Sequence, residues 1–444
     1  MRKTRWVATL AAASLVLVAC GDDDSGSTSG TATDQTGGSG ECTSPTEITW
    51  LGTIKIEIQD QFKAAIADYN ATNTDCVKVT VIDTAQGEAF LQTVTPMYEA
   101  GKAPTIMTAL QELPNMADKV MDWTGQPLAD LAAPGTLDVA NIDGKQVGIP
   151  ITAEAFGLLY NKAVLDAASV DPASIATRSD LAAALDAIAA SGPAGVHFSG
   201  LWWSLGAHFT NIYHANSADT AEGRMAILDQ LKAGTYDLMS DQAFLDWLDT
   251  FDLLKADTID TATISDDDYN VGVEDLASGD AGTWFMGNWA EPNLLEATPD
   301  GEFGVMPVAI SDTEGAYGND SISVGVPFYM MIDQEQSTPE QRAAAISVIT
   351  WFLTTPEGQA HWAGPIESNG MSFIPVYDGF TVTPSTYMAA RIAEYIADGK
   401  TLQWVNSAYP AGLQECYGTA TQKYYDSVSD RETLAKDMEA CWVA

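Results

Sequence analysis

The sequence predicts an α/β fold, and three observations carry the prediction. Between residues 46 and 110, short apolar runs suited to strands alternate with segments whose apolar residues recur at helical spacing. About 400 residues follow a polar stretch that ends near residue 41, a length that suggests two or three domains. Apolar residues make up 46% of the chain, which is ample for sizeable cores.

The elements follow in order. Glu47-Ile48-Thr49-Trp50-Leu51 reads as a short strand, and 59–69 as a helix with Phe62, Ile66 and Tyr69 on one face. The β-branched run 77–82 is a second strand, 86–100 a second helix, and 104–110 a third strand. Strands that alternate with helices imply a sheet with ligands at the carboxyl ends of its strands. Trp123, just before Gly125 and Pro127, reads as a residue of a surface turn. Beyond residue 150 the pattern turns mostly helical, with candidates at 181–190, 225–231, 244–254, 339–353 and 387–396, and no internal repeat.

The N-terminus carries targeting information rather than fold. Arg2, Lys3 and Arg5 precede an uncharged run of 14 residues from Trp6 to Ala19, too short for a bilayer that needs about 20 helical residues. Residues 1–19 therefore read as an export signal. Leu17-Val18-Ala19-Cys20-Gly21 looks like a bacterial lipoprotein processing site, with Cys20 as the acylated lipid anchor. Residues 20–45 then comprise the lipidated cysteine and a flexible tether, since 21–41 is almost all Gly, Ser, Thr and Asp.

Four further cysteines, Cys42, Cys76, Cys416 and Cys441, are an even number in an exported chain, so disulfides are the default. Three pairings can be drawn, of which Cys42–Cys76 with Cys416–Cys441 closes the shortest loops. The formal charge of −41 excludes nucleic acid as a partner. It reports solubility and long-range field rather than a site, and suits a solvated acidic surface.

Several segments stand together as a resemblance. Asp143-Gly144-Lys145-Gln146-Val147-Gly148-Ile149-Pro150 is followed by Glu154-Ala155 and Leu158-Leu159-Tyr160-Asn161-Lys162. Then come Ala277-Ser278-Gly279-Asp280 with Trp289-Ala290, Trp351 to Gln359, and Asn369-Gly370 with Ile374-Pro375. In this order they resemble the family-1 extracellular solute-binding proteins of bacterial ABC importers, of the maltose-binding, carbohydrate type. The resemblance implies a type II periplasmic-binding-protein fold of two α/β lobes, discontinuous in sequence. Lobe 1 would be 46–150 plus 325–374 and lobe 2 would be 151–324 plus 375–444, with crossings near 149–153, 322–326 and 373–376. It also implies a monomer outside the cytoplasm that takes a mono- to short oligosaccharide in the interlobe cleft and hands it to a membrane permease, with no cofactor, no metal and no catalysis.

Sugars present an apolar ring face and a fringe of hydroxyls, so their sites need aromatic plates plus hydrogen-bonding groups. By resemblance Trp289, with Asn288 beside it, is the stacking plate, and Glu154 meets sugar hydroxyls at the lobe junction. One of Trp202 and Trp203 would lie over the cleft. Trp404 and Tyr409 flank a further stacking position, although Pro410 stands where the family type has the aromatic residue. Thr108, Gln111 and Glu112 replace an aromatic and charged ligands after the third strand, which argues against a long maltodextrin. Gln86 and Gln111 remain as hydrogen-bonding candidates.

Other classes leave weaker traces. A glycosidase needs two placed carboxylates, and with 61 acidic residues chance pairs occur everywhere. The Gly-x-Ser-x-Gly of many serine hydrolases is absent. His197, His208 and His214 lie close in sequence but not at metal-binding helical spacing, and read as packing or surface histidines. The rival of substance is a cationic cargo such as a polyamine or oligopeptide, held by carboxylates and aromatic faces.

Overall fold

The computed structural model describes residues 42–51, 58–83, 90–133, 135–383 and 386–443. Cys20, the leader and Gln86 lie outside the described residues. Cys42 to Ala444 form one compact unit. Among the described residues no helix is long and apolar enough to cross a membrane.

Two sheets organise the unit. In the first the strand order is Val77–Ile82, Thr46–Leu51, Ile106–Ala109, Tyr329–Ile332, Ile149–Pro150. The first three strands are parallel, and Tyr329–Ile332 runs antiparallel to both its neighbours. Apolar clusters cover both faces. One gathers Trp50, Phe62 and Phe352, whose rings meet at 5.1 to 6.3 Å. The other gathers Phe90, Met107 and Tyr329. The helix Pro339–Thr354, started by a capping box between Thr338 and Gln341, brings Phe352 to that core.

The second sheet runs Thr401–Gln403, Ile322–Gly325, Glu154–Asn161, Ala281–Gly287, Ala194–His197, with Phe303–Met306 also paired to Glu154–Asn161. Its largest strand is buried over nearly its whole length, from Glu154 to Tyr160. Helices pack around it in a single large cluster that includes Phe156, Trp247, Phe251 and Trp284. The helical reading beyond residue 150 is therefore incomplete, because all six strands of this sheet lie there and gave no alternating signal. Ala281–Gly287 is buried at every position, so neither face needs polar residues.

The chain passes between the sheets at neighbouring places. It leaves the first after Pro150 and enters the second at Glu154, and it returns between Gly325 and Tyr329. A third extended segment lies alongside, where the Ala153 N–H donates to the Ile374 carbonyl at 3.0 Å and the Thr152 hydroxyl to the same oxygen. Gly148 is needed at the first passage, since a Cβ there would press on Tyr329 Cβ at 3.0 Å and on the Met330 carbonyl at 3.1 Å.

Both expected disulfides form: Cys42–Cys76 with Cα atoms 5.4 Å apart, and Cys416–Cys441 at 5.8 Å. The first ties the entry to strand Thr46–Leu51 to the start of Val77–Ile82. The second ties helix Leu413–Tyr425 to helix Arg431–Cys441. Trp123 corrects the surface-turn reading. It is fully buried, its N–H donates to the Gln146 carbonyl at 2.8 Å, and its carbonyl accepts from Gln126 at 3.0 Å. The turn that follows is at the surface, while the indole points inward to fill the core of the first sheet.

Candidate functional site

Two adjoining cavities open where the chain crosses between the sheets. The first, of about 410 Å³, is walled by Trp50, Phe62, Thr108, Phe328 and Trp362, with Thr152 and Glu154 at its edge. The second, of about 360 Å³, is walled by Asn288, Trp289, Glu291, Pro292, Met371 and Ser372. Ile58, Thr152, Glu154 and Phe373 line both, so the two form one cleft with its centre at the crossing segments. Neither wall carries a Lys or Arg among the described residues.

Each polar wall residue owes its place to a strand end. Glu154 opens the strand Glu154–Asn161 and is only 4% exposed. Trp289 follows the end of Ala281–Gly287 in a short turn of 3-10 helix and is 9% exposed. Its ring occupies the space a side chain at Gly287 would need, so Gly287 makes the seat for the indole. Asn288 lines the same cavity, and its Oδ1 accepts the Ala155 N–H at 2.8 Å, locking the Trp289 turn to the Glu154 strand.

Behind Trp289 stands an aromatic group. His208 lies 4.8 Å from the Trp289 ring and 4.7 Å from Phe156, while Trp203 is 5.7 Å from His208 and 6.5 Å from Trp289. Trp404 joins through Phe156 at 5.2 Å and His208 at 6.1 Å, its indole laid over Gly325. Offset and edge-on contacts of this kind are worth about 0.5–1.5 kcal/mol each beyond the area they bury. Trp203 and Trp202 thus part company. Trp203 enters the group, and Trp202 backs onto Gly418 of helix Leu413–Tyr425.

The remaining sequence candidates lie elsewhere. Tyr409 is buried among His214, Tyr417 and Trp442, with its hydroxyl 3.3 Å from that of Thr210, and lines neither cavity. Gln111 is half-buried just past strand Ile106–Ala109 and is absent from both walls, whereas Thr108 is present. Glu112, beside it, has its carboxyl pushed above the ordinary range, chiefly by burial, with repulsion from Glu415 adding.

The three neighbouring histidines do not converge. His197 is clasped by Asp275 at Nδ1 (2.8 Å) and Asp268 at Nε2 (3.2 Å), all three buried. His214 lies parallel to the Tyr417 ring, and burial pulls its pKa down to about 3. Among the described residues no group of three or more His, Cys, Asp or Glu can hold a metal.

Two site residues escaped the sequence reading. His208 sits in a π-helical turn, Ser204–Phe209, that breaks the 3.6-residue period by which a helix face would be read. Glu291 starts the helix Glu291–Ala297 with its carboxyl turned into the cleft wall, where burial raises its pKa to about 7 against a single lowering hydrogen bond from Thr386. A glutamate at the first turn of a helix normally reads as a solvated partner of the helix dipole.

Comparison with known proteins places this geometry. Among curated proteins no sequence matches at a significant level. The fold matches that of the solute-binding protein RafE in complex with raffinose, with a TM-score of 0.72 at 17% identity over 89% of this chain and 98% of that one. It also matches the cyclic α-maltosyl-1,6-maltose binding protein of Arthrobacter globiformis (TM-score 0.64, 18% identity, 90% and 99% covered). A third match is a Bacillus licheniformis sugar transporter protein in complex with stachyose (0.66, 15%, 89% and 98%). At such identities the likeness shows a shared fold, that of the periplasmic binding proteins. Residues 55–360 match the family model of the bacterial extracellular solute-binding proteins, and with most of its length covered by that match the chain belongs to this family.

Proposed function

We propose that this protein is the cargo-binding lipoprotein of an ABC importer, held outside the cytoplasmic membrane through Cys20, and that its cargo is a mono- to short oligosaccharide. A member of this family binds and delivers solute rather than transforming it. The observation that carries the saccharide reading is the pairing, in one cavity, of the Trp289 plate with the hydrogen-bonding side chains of Glu154, Asn288 and Thr152. An aromatic face matches a sugar's C–H surface, and the polar rim matches its hydroxyls. That solved proteins of the same fold hold raffinose and stachyose supports it. Trp203, His208 and Trp404 hold the plate in place from behind. Delivery requires a permease, which the family reading supplies.

The two sheets are proposed as the cores of two lobes, 46–150 plus 325–374 and 151–324 plus 375–444. A cationic cargo is the rival, favoured by the absence of Lys and Arg from the described cavity walls, and the same experiment separates the two. Calorimetry of the mature protein against raffinose, stachyose, maltotriose, triacetylchitotriose and spermidine should show binding of at least one saccharide. Trp289→Ala should then lose roughly 2–4 kcal/mol of affinity, the range of an interface hot spot. Spermidine binding with no saccharide binding overturns the reading, as does unchanged affinity in Trp289→Ala.

A further inference from the structure

Glu291 is a buried carboxyl in the cleft wall with one hydrogen bond to the protein among the described residues. It is nine-tenths buried and lines the second cavity, on the same wall as Trp289 and facing the Glu154 side. One oxygen, Oε2, accepts the Thr386 hydroxyl at 3.0 Å, and Thr386 also caps the helix Tyr387–Ala397. Oε1 has no hydrogen bond among the described residues. With the residue only 6% exposed, this oxygen is poorly solvated and has no donor among the described residues, a position that suits a donor arriving in the cavity from outside the protein.

The surroundings limit what that donor is. Among the described residues the titratable groups around this wall are Glu154 in the shared cavity, Tyr269 from helix Asp268–Ser278, Tyr387 beside Thr386, and His208, packed 4.8 Å from the neighbouring Trp289 ring. The Tyr269 hydroxyl is committed to Asn293 at 3.0 Å and the Tyr387 hydroxyl is 3.3 Å from that of Tyr160. Neither Lys nor Arg lines the cavity among the described residues, so none of those residues supplies a cation to neutralise the carboxyl. Pro292, next in the wall, has no N–H to offer, and Met371 and Phe373 close the remaining side with apolar surface.

Resting on the saccharide reading above, we propose that Glu291 is a specificity-determining residue, its Oε1 accepting a hydrogen bond from a hydroxyl of the sugar stacked on Trp289. The ionised carboxylate accepts such a bond more strongly than the neutral acid does, so cargo and proton compete. The sign follows from linkage. Burial holds the cargo-free carboxyl at about 7. Cargo favours the ionised form, binding near neutrality therefore expels a proton, and affinity rises with pH through that region. Between pH 6 and pH 8 the gain is about tenfold for a group centred at 7 that must be ionised in the complex.

The test uses the mature wild-type protein and Glu291→Gln, which keeps the shape and the acceptor toward Thr386 but cannot ionise. Calorimetry at pH 6, 7 and 8, in two buffers of different ionisation heat, is run with raffinose, stachyose, maltotriose, triacetylchitotriose and, as an amine-bearing probe, chitosan trisaccharide. The expected result is a neutral saccharide whose affinity for the wild type rises about tenfold over that range, with proton release at pH 7. For Glu291→Gln the affinity should be flat with pH, release no proton and stay below the wild-type value at pH 8. Equal pH dependence or proton release in the two proteins overturns the proposal while leaving the saccharide reading intact. Binding of the amine-bearing probe alone overturns it by replacing the hydroxyl with an ammonium. If no saccharide binds the wild type at any pH, the saccharide reading itself fails and takes the proposal with it.

Discussion

Burying Glu291 has a consequence for stability that is separate from cargo. Its pKa in the folded protein is about 7, against 4.5 for a free glutamate, because desolvation disfavours the charge. A carboxyl raised in this way contributes its full stability only below about 4.5, and the contribution is lost as pH rises through about 7. The glutamine in Glu291→Gln resembles the protonated acid at every pH. Thermal and urea unfolding should therefore find the variant equal to wild type near pH 4.5 and more stable at pH 8, by on the order of 3 kcal/mol. A variant equal in stability to wild type at both pH 4.5 and pH 8 would show that the carboxyl is solvated. A group that weakens the fold at working pH and faces a cavity is the usual trade between stability and function. The sequence could not reveal it, since position 291 looks like any first-turn glutamate and only the tertiary packing buries it. Trp289 and Glu154 were legible for the opposite reason, because each sits inside a motif whose order along the chain marks the crossing strands.

Among elements, the π-helical turn Ser204–Phe209 does most to shape the site, because it delivers both Trp203 and His208 to the Trp289 group. It can do so only by approaching helix Leu413–Tyr425 at backbone contact. A Cβ on Gly206 would strike the Gln414 carbonyl and the Gly418 amide, and would sit 2.7 Å from the Gly418 Cα. Backbone cannot move aside as a flexible side chain can, so Gly206→Val should cost about 1–3 kcal/mol of stability as an overpacked contact. It should also weaken saccharide binding, since the helix that carries His208 must back away. Differential scanning calorimetry with binding measured on the folded variant checks both, and wild-type stability would show that the two helices have room to spare. The strands of the first sheet could be read from β-branched runs, as in Val77–Ile82. The second sheet hid its strands because burial on both faces erases alternation, and Ala281–Gly287 offers a Gly-rich apolar run that suits helix packing equally well.

At the scale of the whole molecule, the cleft is both the binding site and the joint. Its first cavity takes Trp50 and Phe62 from around the first sheet and Glu154 from the second, so the complete wall exists only when the two sheets stand close. Yet Glu154 is 4% exposed and Trp289 is 9% exposed, which leaves too little open surface for a sugar ring to arrive from solvent. The lobes proposed above must therefore part and close again. The parts of the chain able to absorb that motion are few: residues 151–153, residues 326–328 and the segment bonded to Ala153 at Ile374. All three are extended, adjacent and short, the arrangement of a hinge rather than a sliding interface. If the free protein is mostly open, cargo must favour the closed form by about 5.5 kcal/mol to turn a 1:99 population into 99:1. That free energy comes from contacts made only when closed, the stacking on Trp289 among them. Small-angle scattering of the mature protein should show a radius of gyration that falls when the best-binding saccharide saturates the site. Trp289→Ala at the same sugar concentration should keep the larger radius, and at a concentration high enough to saturate it should shrink as wild type does. A radius unchanged by saturating sugar would mean that cargo enters a cleft that does not move, and the exposure of Glu154 and Trp289 in solution would then have to be larger than the structure gives.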